Sequence, residues 1–341
     1  MFNRRSFLHS LSAITSAAAL STNATAQTSD ALGALLPQRR LGKTDEMVTM
    51  LGLGGAHVSH QSSESGAQAL IEASIEGGIR FFDTAHLYGG GKSEERYGRY
   101  LTPKYREHVF IMSKAEQNTA AKVRQQLEDS LRRMKTDYID LWQMHQVMSI
   151  EDAEDRIAHG VLEEFVKARD EGKVRYIGFT GHKDPAAHLR VLDKTDIFQT
   201  CQMPINCADP SYGSFIRSVL PELTARDFGV IAMQTLAAGG FFGGTTWFQS
   251  GPKPKICPDR ISVQEAIHFS LSMPISVLVT GPNNVDQLRE KIEFVHSFTG
   301  MSENERQTLI DKAADLTPNS GVEFYKEKGL QTKVDWRNHC E

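Results

Sequence analysis

Four side chains of the types that move protons stand at, or just beyond, the ends of short apolar segments. Asp83 closes Ile79–Asp83 (IRFFD), Lys114 closes Val109–Lys114 (VFIMSK) and His145 closes Tyr138–His145 (YIDLWQMH). Tyr88 follows in the loop Thr84-Ala85-His86-Leu87-Tyr88-Gly89. A carboxylate, an ammonium, an imidazole and a phenol in one place are general acid–base machinery. A competing arrangement takes Asp83, His86, His145 and His182 as ligands of a hydrolytic metal, but it leaves Tyr88 and Lys114 without a task. Singly, each residue has a bland reading: a strand-end Asp caps a turn and a lone Lys is solvated. The chemistry therefore depends on elements that would bring them together.

Those elements alternate. β-rich runs at Met47–Leu53, Ile79–Asp83, Val109–Lys114, Tyr138–His145, Val174–Thr180, Ile197–Met203, Val230–Gln234 and Ser276–Thr280 are separated by helical segments. Val123, Leu127, Leu131 and Met134 mark one helix face, as do Val285, Leu288, Ile292 and Val295. Ile157, Val161, Leu162, Phe165 and Val166 predict one helix ending before Gly172. Eight strand–helix units without a linker predict an α/β fold closed as a (β/α)8 TIM barrel. The open doubly wound sheet is the alternative. In a parallel barrel, successive strands deliver their C-terminal ends to one rim, so Asp83, Lys114 and His145 converge with Tyr88 above them.

Other motifs and classes fall away. Gly52-Leu53-Gly54-Gly55 opens like a dinucleotide fingerprint, but His57 takes its third glycine position; Gly91-Lys92-Ser93 lacks the first glycine of a P-loop. His57 and His60 read as a loop or core pair, and Cys201 and Cys207 as lone buried thiols, with no metal site expected. The chain has 341 residues with 38 basic against 42 acidic, a net charge of −4, which offers nucleic acid no basic footprint. No apolar run approaches the ~18 residues of a membrane span.

The chain is similar to the aldo-keto reductase family along nearly its whole length after the leader described below. Arg40-Leu41-Gly42 to Gly54-Gly55 resembles the family's N-terminal β-hairpin and first strand. Asp83-Thr84-Ala85 with Tyr88-Gly89, then Lys114 and His145, match its four catalytic positions, and Gly172 to Gly178 matches its approach to the nicotinamide. The resemblance implies reduction of an aldehyde or ketone, or oxidation of the alcohol, by hydride transfer from a nicotinamide cofactor. Tyr88 supplies the proton, Lys114 lowers the phenol's pKa, Asp83 holds Lys114, and His145 polarises the carbonyl. The alternative is a cofactor-binding regulatory or interaction module on a reductase barrel, which a missing catalytic residue would favour.

The implied cofactor is NADP, with NAD possible. The implied binding positions are Gly54, Gly55, Thr180, Gln202, Met233, Gln287, Glu290 and Lys291. Gly181 departs from the family's Asn after Thr180, and Met233 from an aromatic residue, though a thioether can cover a ring face. Gly281 and Gln287 fall where many members carry the basic residues that meet the 2′-phosphate. Lys291, in place of a frequent Asn, is the cation nearby, so weak phosphate discrimination is expected.

Residues 1–26 read as a twin-arginine signal peptide: Arg4-Arg5, a short apolar run from Ser10 to Leu20, and a small-residue site at Ala24-Thr25-Ala26. This makes the twin-arginine export machinery a partner, the periplasm the expected destination, and 27–341 a single barrel domain with a C-terminal extension. The Ala237–Arg260 loop and the tail beyond Thr317, with Phe324, Tyr325 and Trp336, are candidate walls for an apolar or sugar-ring ligand.

Overall fold

The computed structural model describes residues 28–243, 255–317 and 321–326. The leader, part of the Ala237–Arg260 loop and Trp336 lie outside the described residues. Eight strands close into a barrel: β1 (Leu51–Gly54), β2 (Phe81–Asp83), β3 (Phe110–Ala115), β4 (Ile139–Met144), β5 (Val174–Thr180), β6 (Thr200–Pro204), β7 (Gly229–Met233) and β8 (Val277–Thr280). Each pairs in parallel with its sequence neighbours, and β8 closes on β1.

Strand alternation decides what the barrel holds. Phe81, Phe110, Met112, Leu141, Ile231 and Val277 pack together inside it, while Phe82, Ile111, Trp142 and Met144 face the helices. Continuing the inward set by steps of two reaches Asp83 from Phe81, Lys114 from Met112 and His145 from Leu141. The floor is sealed by an antiparallel hairpin, Gln38–Arg40 with Met47–Thr49, which adds Leu41 and Val48 to the interior cluster. Phe81 and Phe110 stack there at 5.3 Å between centroids. Each such side chain contributes roughly 1.5–3 kcal/mol by leaving water.

Two element boundaries differ from the sequence expectation. The run expected as one strand over Met47–Leu53 divides at Met50: its first part is the hairpin and its second is β1. The helix expected through Ile157 and Val166 is two, Ile150–Ala158 and Val161–Asp170. They divide at Gly160, whose φ of 74° a continuing helix cannot accommodate.

The helices that bear on the site are α1 (Gly55–His60), α2 (Glu64–Glu76), α3 (Val263–Leu271) and α4 (Val285–His296). Asn284 caps α4 by accepting the Gln287 N–H at 2.9 Å. Leu288, Lys291, Ile292 and Val295 form its buried face. Residues 321–326 return to the barrel as a strap. There Lys326 Nζ donates to Asp209 and Glu323, each at 2.7 Å, and Tyr325 Oη donates to Glu323 at 2.6 Å.

Candidate active site

The rim is held by continuation of the sheet past its strands. Thr84 N–H donates to the Met112 carbonyl at 2.9 Å, His86 N–H to that of Lys114 at 3.1 Å, and His145 N–H to that of Ala115 at 2.8 Å. These bonds set three strand ends and the Tyr88 loop in one register. Lys114 Nζ donates to Asp83 Oδ1 and to the Thr84 carbonyl at 2.7 Å, and lies 3.4 Å from Tyr88 Oη. The same ammonium is 4.8 Å from the Tyr88 ring centroid. The His145 ring stands nearly perpendicular to that of Tyr88, 5.7 Å between centroids.

Burial governs the protonation of all four. It raises the Asp83 carboxyl and lowers the Lys114 ammonium, each opposed by the charge of the other. His145 is held well below the usual imidazole range by burial and then by Lys114, so it is neutral at pH 7. Tyr88 is pushed well above the ordinary phenol value, first by burial and then by the charge of Asp83. This corrects the expectation that Lys114 lowers it: the ammonium donates to Asp83 and Thr84, and desolvation of the phenolate outweighs its influence. Tyr88 therefore keeps its proton at neutral pH.

A cavity of about 660 Å³ opens from this rim. Asp83, Tyr88, Gln202 and Met233 line it at the barrel mouth, while Gly281, Gln287, Glu290 and Lys291 line it beyond β8. Of the positions expected to bind cofactor, Gly54, Gln202, Met233, Gln287, Glu290 and Lys291 are on its wall. Gly55 and Thr180 are not. Gly55 is packed against the Asp83 carbonyl and Ser93, and Thr180 stands beside Gln202 in the sheet register. Among the described residues, no three His, Cys, Asp or Glu side chains gather as metal ligands.

Residues 50–258 match the Aldo/keto reductase family. The chain belongs to it. This aldo/keto reductase is 27% identical over 319 residues to the L-galactose dehydrogenase of Arabidopsis thaliana, covering 83% of this chain and 97% of the relative. It shares its fold with the holo form of a Bacillus halodurans aldo-keto reductase, at a TM-score of 0.68 and 22% identity over 81% of this chain and 96% of the other. A Klebsiella pneumoniae aldo-keto reductase solved with NADPH superposes at 0.64 with 21% identity, covering 87% and 98%.

The wall of this reductase joins Gln202, expected from the sequence, to residues the sequence reading did not assign, Thr235, Gln234 and His57 among them. Gln202 Oε1 and Thr235 Oγ1 are buried on the cavity wall without a hydrogen-bond partner among the described residues. Such atoms ordinarily find one, and a polar ligand in the cavity would supply it. The turn after β7 is strained: Gln234, Ala237 and Ala238 have φ of 57°, 49° and 51°, with Gly239 at 89°. The Ala237 and Gly239 N–H groups are used inside the turn, donating to the Gln234 and Leu236 carbonyls at 2.8 and 3.0 Å, and Gln234, Ala238 and Gly239 line the cavity. His57, read from sequence as a loop or core residue, lines it too. No pattern of residue types marks these positions. Positive φ at Gln and Ala is a consequence of packing.

The departures from family pattern also have structural causes. A Cβ on Gly181 would overlap the Val147 carbonyl, with His188 Cε1 close behind at 2.6 Å, so no Asn fits there. A Cβ on Gly281 would overlap the His57 ring. Of the candidate wall residues in the tail, Phe324 and Tyr325 are buried, and Tyr325 meets the ring of His182 at 5.6 Å.

Proposed function

We propose that this protein reduces an aldehyde or ketone, or oxidises the alcohol, with NADP(H) bound in the rim cavity and Tyr88 as the proton donor. The observation that carries the reading is Tyr88 Oη, 3.4 Å from Lys114 Nζ, on the wall of a cavity whose buried Gln202 and Thr235 oxygens want partners. The cofactor, when bound, supplies the hydride. Gln202 Oε1 is free to accept from its carboxamide, and Thr235 Oγ1 on the same wall is available to its phosphates. Neutral His145 donates an N–H to the substrate oxygen and withdraws electron density from the carbonyl carbon. Tyr88 then gives its proton to that oxygen as negative charge develops there, and the adjacent Lys114 ammonium offsets the charge left on the phenol. Asp83 keeps Lys114 in place, and burial with the Asp83 charge keeps Tyr88 protonated until the oxygen becomes the stronger base.

The test is titration of the purified protein with NADPH, followed by mixing with short aldehydes while the reduced nicotinamide absorbance is recorded. Binding and oxidation of NADPH are expected. Binding without oxidation across a broad aldehyde and ketone panel would favour the interaction-module reading.

We further propose that the protein is exported folded through the twin-arginine route, carrying its dinucleotide. The motivation is the Arg4-Arg5 leader and the scarcity of free nicotinamide nucleotides outside the cytoplasm. The exported fraction should retain nucleotide after dialysis; a nucleotide-free exported protein that binds NADPH and NADH only weakly would remove this proposal.

A further inference from the structure

Lys291 is a buried lysine that meets the cavity with no ion-pair partner among the described residues. The helical spacing of α4 puts it on the same face as Leu288 and Ile292, where it lines the cavity. Among the described residues no hydrogen bond or ion pair engages its Nζ. Its neighbour Glu290 is exposed and acts only through its field. Burial of an unpaired cation is costly. An anion entering the cavity would supply the missing counter-charge and remove that cost.

The surroundings narrow the anion. His57 of α1 occupies the space in front of Gly281, so a basic side chain at 281 cannot coexist with that ring. The ring is neutral at pH 7: burial, then the Lys291 charge, bring its pKa down to about 4. It adds no positive charge. Gln287 is oriented by accepting the Asn283 N–H at 2.9 Å, which leaves its amide N–H groups available. One cation with neutral donors around it suits a phosphomonoester.

We propose that Lys291, with His57 beside it, is this protein's own anchor for the ribose 2′-phosphate, replacing basic residues at 281 and 287. The inference rests on the reading of the cavity as the NADP(H) site. It has a consequence that arginine anchors lack. An arginine stays charged at every accessible pH, whereas burial lowers Lys291 to about 8. The preference for the phosphorylated dinucleotide should therefore weaken as pH rises above about 8. The charged and titratable groups around Lys291 are Glu290 on its own helix and His57, then His60, on α1. Helix α4 also packs on α2 and α3. Neither Glu64, Glu72 and Glu76 of α2 nor Glu265 and His268 of α3 contributes to its shift.

Dissociation constants for NADPH, NADH and 2′,5′-ADP, measured by fluorescence or calorimetry at pH 7 and about pH 9.5, test this. Lys291→Met should lose roughly tenfold to a hundredfold in NADPH affinity and leave NADH within about twofold. Wild-type preference should fall toward that of the variant at the higher pH, and Lys291→Arg should keep the preference and flatten its pH dependence. A Lys291→Met protein that melts normally and retains wild-type discrimination would overturn the anchor. Equal wild-type affinity for NADPH and NADH would overturn the anchor alone, leaving the cofactor reading standing. A wild-type protein that binds neither nucleotide would remove both.

Discussion

Lys114, behind Asp83 and Tyr88 at one end of the cavity, and Lys291, on its wall at the other, are nearly equally hidden, 1% and 6% exposed, yet they differ in what meets them. Lys114 faces one carboxylate, a carbonyl and a phenol. Lys291 faces no acceptor among the described residues. A third lysine calibrates the pair: Lys326, 3% exposed, lies between Asp209 and Glu323 and also donates to the Tyr212 carbonyl at 3.0 Å. With two carboxylates a buried lysine is a fastener. With one, and a phenol on the cavity side, it belongs to a reactive group. With none, it is a receptor for an anion. Burial alone does not distinguish these roles; the number of fixed counter-charges does.

The contrast breaks most sharply at the catalytic end. Tyr88→Phe removes the proton donor and almost no volume, so hydride transfer in single-turnover experiments should fall by about 10²–10⁴-fold. NADPH affinity should stay within about twofold. If transfer persists at the wild-type rate, the Lys114 cluster is a fastener like that of Lys326.

Lys326→Met should be the most destabilising of the lysine substitutions. It leaves Asp209 and Glu323 buried without their cation, a loss of about 3–5 kcal/mol of folding stability in denaturant titrations. A cost near zero would show that the strap does not depend on the ion cluster.

Lys291 should behave oppositely in the nucleotide-free protein. Its pKa of about 8 lies below the ordinary 10.5, so the folded state holds fewer protons between those values and stability rises with pH across that window. The gain attributable to this group is on the order of 3 kcal/mol, complete above about pH 10.5. Denaturant midpoints for wild type minus Lys291→Met across this range isolate it. A flat difference would mean that Lys291 already has a counter-charge.

The smallest effect concerns Gln202. Gln202→Leu removes the buried amide oxygen without changing the barrel layer much, and should weaken NADPH and NADH alike by about tenfold. A change confined to NADPH would place Gln202 at the phosphate end.

The catalytic end was legible in the sequence because strand alternation and barrel topology are both short-period rules. Counting by two from Phe81, Met112 and Leu141 reaches the three rim residues, and parallel connection puts their ends together. Lys291 was legible as a candidate, and its burial was implied by its place three residues after Leu288 on an apolar face. His57 carried only a motif-breaking signal: it spoiled a glycine fingerprint, with nothing in its neighbours to say what it would meet. The helix break at Gly160 was missed because the apolar periodicity runs across it.

The order of elements, the inward set of side chains and the meeting of Asp83, Tyr88, Lys114 and His145 at one rim are determined by the sequence itself, since each follows from contacts local along the chain or between successive strands. The charge states are not. The Tyr88 phenol is pushed up rather than down, against the sequence expectation, because its solvation depends on everything packed around the rim and its field on Asp83. The vacancy at Gly281 is filled by a ring 224 positions earlier in the chain. Desolvation and Coulomb energy depend on distance in space, and only the folded chain defines those distances.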